Sequence, residues 1–491
     1  MSRVVRTVPD ETRAAQARAA DPARTVWVSA NAGSGKTWVL SERVIRLLLN
    51  EADPARILCL TYTRAAAAEM SNRVFKRLAD WTRLDDTALD AEIGRMEGRP
   101  PDAAKRATAR RLFARALETP GGLNIRTIHA FCESLLHRFP LEANVPGHFE
   151  MLDNLSATAL TAEAANAMVA AIGAPDTGGE DHAAFAAVIA EAGAFGLEML
   201  IAEIVRQRSK LRRLLDALPN HEERRQAYLS TFCFDTETTE AEIMAEPWPL
   251  DSLPVEMLRE MYRAAEKSGN TKPYEFAYGL GMVSKETDPA ERFAMLGNIF
   301  LTKAGAPRKL GTLATKAIVA AIPDIAGRIE DAAMQFANVR DRLALFRQIG
   351  ATLSALQIAD RLIRGYEALK RARGFLDFDD LIERAAALFE RDAGRWVQYK
   401  LDQGIDHILV DEAQDTAPRQ WQVIERLAEE FFAGAGARNL RRTLFAVGDE
   451  KQSIYSFQGA DPAGFAAAGE RARAKAGKEW DRVPLTLSFR S

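Results

Sequence analysis

Two strand signals that lie far apart in the chain each run straight into residues suited to phosphate chemistry, and this pair constrains the fold more than any other feature. Near the amino end, Val26-Trp27-Val28-Ser29 leads into Ala30-Asn31-Ala32-Gly33-Ser34-Gly35-Lys36-Thr37 and then into an apolar-periodic stretch over residues 39–49. A strand, a glycine-rich turn and a helix in that order form a phosphate cradle. Gly33 and Gly35 let the backbone turn tightly and aim N–H groups at phosphate oxygens beside a helix N-terminus. Lys36 supplies a cation and Thr37 a magnesium ligand, while Ala30 stands where the usual pattern has its first glycine. Much later, Ile405 and Ile408-Leu409-Val410 make a buried strand ending in Asp411 and Glu412. Asp411 suits Mg²⁺, and Glu412 suits polarising the water that attacks a γ-phosphate. Either signal alone has a plain alternative, a tight connection for the first and an acidic helix cap for the second. Together they predict an α/β protein that hydrolyses a nucleoside triphosphate at the carboxyl edge of a parallel sheet.

Further strands are expected at residues 57–62 and 443–447, the latter after a loop at Ala433-Gly434-Ala435-Gly436-Ala437. Between the two halves of the expected site, residues 141–374 are alanine-rich and mostly helical in pattern. Helices are predicted over 160–171, 185–215, 317–337 and 343–372, with turn-rich breaks near 173–176 and 305–311. The length of 491 residues suggests about three domains. A net charge of −3 gives no overall basic footprint, so any nucleic-acid contact must be local. Arg206-Gln207-Arg208-Ser209-Lys210-Leu211-Arg212-Arg213 reads equally as the lining of such a groove or as a solvated helix face. Cys59, Cys132 and Cys233 are widely spaced, which argues against a disulfide framework or a cysteine-rich metal site and fits a reducing cytoplasm. No apolar run near twenty residues stands out, so a soluble chain with no membrane partner is expected.

Asp411-Glu412-Ala413-Gln414-Asp415 resembles motif II of superfamily I DNA helicases of the UvrD/Rep type, and other motifs of that family follow in order. Residues 57–70 resemble motif Ia, Thr127-Ile128-His129-Ala130-Phe131-Cys132 motif Ib, residues 447–460 motif III and residues 485–491 motif IV. Within the family the likeness is to the AddA group, helicase-nuclease subunits of bacterial double-strand-break repair. It is carried by residues 27–37, 127–132, 139–146 and 376–381.

This resemblance implies a RecA-like P-loop NTPase domain interrupted by a large, mostly helical insert. Residues 1–140 and 375–480 would form motor domain 1A, residues 141–374 an accessory domain 1B beside the DNA, and residues 481–491 the start of a second motor domain. It implies ATP and Mg²⁺ as cofactors, with Gln16 reading adenine and the loop from Ala30, Asn31, Ala32, Gly33, Ser34 and Gly35 to Lys36 and Thr37 holding the phosphates. Gln452 would sense the γ-phosphate, Arg490 would stabilise transition-state charge, and Phe489 would stack on adenine. Thr61, Thr63, Arg64, Thr127 and His129 would touch the DNA backbone or brace the loops that do, and Tyr62 and Phe457 would stack on bases. Phe457 and Gln458 stand where many relatives have tryptophan and arginine. Thr127-Ile128-His129 also reads as a capped strand end, and His129 lacks the neighbours of a zinc site.

The implied activity is ATP-dependent, 3′-to-5′ DNA unwinding in double-strand-break repair, on single-stranded and duplex-end DNA together with an AddB-type partner. A nucleotide-gated scaffold that binds DNA or a repair partner without unwinding it is the alternative. Because Ser491 follows the motif IV arginine directly, the chain is expected to be a fragment. It would lack the second motor domain and a nuclease domain, bind ATP weakly and turn it over poorly.

Overall fold

A computed structural model describes residues 9–31, 33–174, 179–269, 271–391, 394–402, 404–432, 441–449 and 462–487. Eight strands occur in chain order: β1 (Thr25–Ala30), β2 (Ile57–Thr61), β3 (Ile125–Thr127), β4 (Glu150–Met151), β5 (Phe375–Leu376), β6 (His407–Val410), β7 (Thr443–Gly448) and β8 (Trp480–Leu485). β1, β2, β6 and β7 are near-continuous runs of apolar and β-branched residues, as expected of strands covered by helices on both faces. Six strands form one sheet in the order β3-β2-β6-β7-β1-β8, every neighbouring pair parallel. Successive side chains point to opposite faces. Val26, Val28, Leu409 and Phe445 pack with Leu40, Ile45, Met70 and Trp81 on one face. Trp27, Leu58, Ile408 and Leu444 pack with Phe131, Leu381, Trp421 and Phe465 on the other. Trp27 lies stacked against Phe465 at 5.2 Å and meets Trp421 at 5.4 Å, geometries in which aromatic pairs contribute beyond their buried area.

Because the sheet is parallel, the loops after β1, β2, β3, β6 and β7 all leave from one edge. β1 and β6 flank β7, so the glycine-rich loop and the Asp411-Glu412 pair are one strand apart.

The chain divides into two compact units. The first holds the described residues up to Asn154 and from Arg371 onward, and the second holds Leu155–Lys370. β4 pairs with β5, Glu150 opposite Phe375 and Met151 opposite Leu376, within the first unit. Residues 141–154, expected in the insert, stay with the first unit because Ala143, Val145 and Phe149 join its core. Asp481–Leu485, expected to open a further domain, instead pair with β1 from Val26 to Ala30. Burial of Val483 and Leu485 in the sheet's core accounts for that placement.

The second unit is helical among the described residues apart from an isolated bridge between Leu301 and Pro307. Its helix boundaries depart from periodicity at identifiable residues. The stretch expected as one helix over 185–215 is broken at Gly193, with φ 67° and ψ −178°, and again between the helices Glu180–Arg206 and Arg208–Ala217. The helix expected over 317–337 splits into Lys316–Ala321 and a new helix from Ile325. Pro323 disfavours helical backbone at the preceding residue, and Asp324 has φ 63°. The later helix then runs unbroken for 49 residues to Arg373, because residues 338–342, polar apart from the buried Val339, contain neither glycine nor proline. By length and composition two helices, Asn154–Ile172 and Glu180–Arg206, are long and apolar enough to cross a membrane, although neither is an uninterrupted apolar run, since Glu163 and Asn166 interrupt the first and Glu191 and Glu198 the second. Alanine supplies much of their apolar character, and the non-helical backbone at Gly193 interrupts the second.

Candidate nucleotide site

The loop after β1 turns through two left-handed residues, Gly33 at φ 73° and Gly35 at φ 91°, a backbone region that favours glycine. At Gly35 a Cβ would also sit 3.1 Å from the side-chain nitrogen of Gln16. Gln16 is buried on the helix Asp10–Ala19, and its Nε2 donates to the Ser34 carbonyl at 3.3 Å. The Ser34 N–H donates to the Asn31 carbonyl, and the Asn31 N–H to that of Leu485. Ala30 is buried at the end of β1. The buried Ser34 Oγ has no partner among the described residues. Ala32 lies outside them. Lys36 and Thr37 open the helix Lys36–Leu49.

Lys36 Nζ meets Glu412 Oε2 at 2.7 Å, across 376 positions of sequence. The lysine side chain is only 11% exposed, while that of Glu412 is 38% exposed. Asp411 is buried where β6 ends. Its N–H donates to the Leu60 carbonyl, and its Oδ1 accepts from the Glu412 N–H at 3.0 Å. Burial pushes the Asp411 carboxyl up to about 6, with the Glu412 charge adding to the rise and the Glu412 N–H and Lys36 opposing it.

A carboxyl whose folded pKa lies above its unfolded value destabilises the fold once it ionises. That penalty is absent below about pH 4 and complete above about pH 6. Asp411→Asn, which keeps an acceptor for the Glu412 N–H, is therefore expected to stabilise the nucleotide-free chain at pH 7.5 by up to about 2–3 kcal/mol. The gain should vanish near pH 4. Denaturant unfolding at the two pH values checks this, and an equal effect at both would contradict it.

Glu412 itself adopts the left-handed region, φ 46° and ψ 47°, where a non-glycine residue costs on the order of 1 kcal/mol. Gln414 holds it in place. The Gln414 Nε2 donates to Glu412 Oε2 at 2.9 Å and to Asp415 Oδ2 at 3.0 Å, and its Oε1 accepts from the Asp449 N–H at 2.8 Å. A Cβ at Gly448 would lie 2.9 Å from that Oε1, so glycine there admits the amide. Sequence reasoning placed Gln414 inside the acidic motif but assigned it no role. Its partner comes from the end of β7, 35 positions away, and no local pattern reports such a contact.

At the ends of β2 and β3 the motif Ia and Ib residues come together. Thr61 is buried, and its Oγ1 donates to the Thr63 carbonyl at 3.1 Å. The Thr63 hydroxyl caps the helix Arg64–Arg83 by accepting from the Ala66 N–H, and the Thr127 hydroxyl caps the helix Ile128–Arg138 by accepting from the Ala130 N–H. The capped-strand-end reading of Thr127 thus describes its hydroxyl. His129 packs edge-on against Phe378 at 5.6 Å, and burial lowers its pKa, which favours the neutral imidazole. Tyr62, Arg64, Thr127, His129, Glu133 and Phe378 line a cavity of about 260 Å³. Tyr62 also lines a smaller cavity beside Asp411. Phe378, 48% exposed, is a cavity aromatic that the sequence reading left without a role. No cluster of three or more His, Cys, Asp or Glu that could hold a metal occurs among the described residues. Gln452, Phe457, Phe489 and Arg490 lie outside them.

Collected at one edge are a cation on a glycine-rich loop, an unpartnered hydroxyl, a buried carboxylate that a divalent ion would relieve, and a second carboxylate held by an amide. Such groups can hold a polyanion with its counter-ion and place a base beside it. On a six-stranded parallel sheet flanked by helices, they define a RecA-like α/β nucleotide-binding domain. The chain matches the UvrD/REP helicase N-terminal domain over residues 11–473 and belongs to that family. It is 27% identical over 521 residues to an ATP-dependent helicase/nuclease subunit of the AddA type from Lactobacillus delbrueckii subsp. bulgaricus, covering 99% of this chain and 39% of that protein. The protein of the same description from Syntrophomonas wolfei is 25% identical over 494 residues, 94% of this chain and 35% of the relative. That from Bacillus pumilus is 25% identical over 514 residues, 95% and 37% respectively. The chain therefore spans less than two fifths of the length of these curated relatives.

Proposed function

We propose that this chain is the ATP-binding portion of an AddA-like helicase that moves 3′ to 5′ along DNA in double-strand-break repair. The observation that carries the reading is the 2.7 Å contact between Lys36 Nζ and Glu412 Oε2. It puts the loop cation and the candidate base one hydrogen bond apart at the edge where ligands of such sheets bind. Lys36 would exchange Glu412 for phosphate oxygens, and Glu412, so released, would accept the proton of the attacking water. Asp411 and Thr37 would hold Mg²⁺, which when bound offsets phosphate charge. Gln414 keeps the Glu412 carboxylate oriented and ties it to the Asp449 backbone, at the start of the segment carrying Gln452. In this reading Gln16 selects adenine, Phe489 stacks on it, and Arg490 and Gln452 respond to the γ-phosphate.

The cavity at Tyr62, Arg64, Thr127 and His129 is assigned to single-stranded DNA, with Thr61 and Thr63 shaping its loops and Phe457 adding a stacking surface. The first unit corresponds to motor domain 1A and the second to accessory domain 1B, with an AddB-type protein for a partner in the cytoplasm. Titration of Mg²⁺-ATP into the chain, with turnover followed with and without single-stranded DNA, tests the proposal. ATP binding and a slow turnover that rises with DNA are expected. Absence of ATP binding at millimolar concentration would overturn it.

A further inference from the structure

A cation stands out among the buried side chains. Arg43 is fully buried on the helix Lys36–Leu49 and makes no ion pair among the described residues. Its two terminal nitrogens donate instead to three main-chain carbonyls and one hydroxyl, while the buried Nε has no hydrogen-bond partner among the described residues. Nη1 bonds the carbonyls of Ala19 at 3.3 Å and Asp21 at 2.5 Å, while Nη2 bonds the carbonyl of Arg24 at 2.5 Å and Thr443 Oγ1 at 3.1 Å. The guanidinium also lies 5.0 Å from the centroid of the Phe445 ring. One turn along the same helix, Arg46 Nη1 donates to the Ala17 carbonyl at 2.8 Å. A buried guanidinium is costly unless its donors are satisfied. Burial pushes the Arg43 pKa down to about 9, so the group is still a cation at neutral pH.

The carbonyls it holds share one location. Ala17 and Ala19 close the helix Asp10–Ala19, and Asp21 and Arg24 lie on the connection from that helix to β1. Gln16 sits on this helix with its amide on the phosphate loop. Both arginines sit on the helix that Lys36 opens. Cations at the carboxyl end of a helix satisfy its last carbonyls and complement its dipole. A lysine is a point charge on a flexible stem and cannot reproduce arginine's planar fork of donors.

We propose that Arg43, seconded by Arg46, is a positioning residue. It registers Gln16 against the phosphate loop, so that base selectivity depends on a side chain that never touches the nucleotide. The inference rests on Gln16 being the base reader. Disrupting the clamp should let Gln16 shift relative to Lys36, which degrades recognition of the base while contacts to the phosphates persist.

The test compares ATP and GTP affinities, with Mg²⁺ present, for the whole chain and for Gln16→Ala, Arg43→Lys and the double variant, with thermal melts alongside. Arg43→Lys is expected to lower the ATP-over-GTP preference about tenfold, the weight of one hydrogen bond, while GTP affinity holds. In the Gln16→Ala background the same change should leave the ratio unaltered. An equal loss for both nucleotides would mean a merely structural role and would overturn the proposal. So would an intact preference in Arg43→Lys when Gln16→Ala has lost it. If Gln16→Ala keeps the full preference, the base-reader assignment fails, and this inference with it. Should Arg43→Lys not fold, Arg46→Met removes only the Ala17 bond from the clamp. It is expected to lower the ratio about threefold, and an unchanged ratio would overturn the proposal.

Discussion

Lys36→Ala is expected to weaken Mg²⁺-ATP binding about 100-fold while leaving the nucleotide-free fold nearly as stable as before. Hydrogen bonds from a charged donor contribute about 1.5–3 kcal/mol each. Lys36 is well shielded and its ammonium meets the Glu412 carboxylate. Removing it also leaves the Asp411 and Glu412 carboxylates uncompensated beside the incoming phosphates, so repulsion adds to the lost attraction. Stability should change far less, because the Glu412 side chain is more than a third exposed and solvent screens such pairs to under about 1 kcal/mol. Calorimetric titration and a melt of the same sample separate the two effects. A loss of affinity below threefold would remove Lys36 from the phosphate site.

Glu412→Gln should behave in the opposite way. Turnover in the presence of single-stranded DNA is expected to fall by a factor of about 10²–10⁴, the range that a positioned general base contributes. Affinity for Mg²⁺-ATP should hold or rise. The reason lies in the nucleotide-free geometry, where Lys36 is engaged by Glu412 Oε2 and phosphate must compete for it. A neutral amide competes less and removes one repelling charge, yet its oxygen can still accept from the Gln414 amide that now bonds Glu412. Binding and turnover falling together in this variant would show that Glu412 organises the site rather than acting as its base.

Local signals located much of this molecule. Apolar runs ending in glycines or acids placed β1, β6 and β7 within a residue or two, and the left-handed turns at Gly33 and Gly35 were implicit in their residue type. Helices of the second unit were harder, because alanine-rich sequence shows weak periodicity. They broke at Gly193 and at Pro323 with Asp324, and a mostly polar stretch without glycine or proline did not stop the 49-residue helix. Arg43 shows a deeper limit. A charged residue within an apolar-periodic helix reads as a solvent-facing position, and the carbonyls, hydroxyl and aromatic ring gathered around this one make its burial tolerable.

Residue order by itself determined which chemistry is present: Lys36 and Thr37 behind a glycine turn, Asp411 and Glu412 at a strand end, and threonines placed to cap the helices beside Tyr62 and His129. These follow from backbone sterics and hydrogen-bond inventories that act over a few residues. Tertiary structure alone decided who meets whom. Strand order places β7 between β1 and β6, which brings Lys36 to Glu412, sets Gln414 between that carboxylate and the Asp449 backbone, and wraps the carbonyls of the Gln16 connection around Arg43. Such contacts join residues that only the packing of the sheet and its helices brings together, and nothing in the spacing of a linear chain encodes a distance across a sheet.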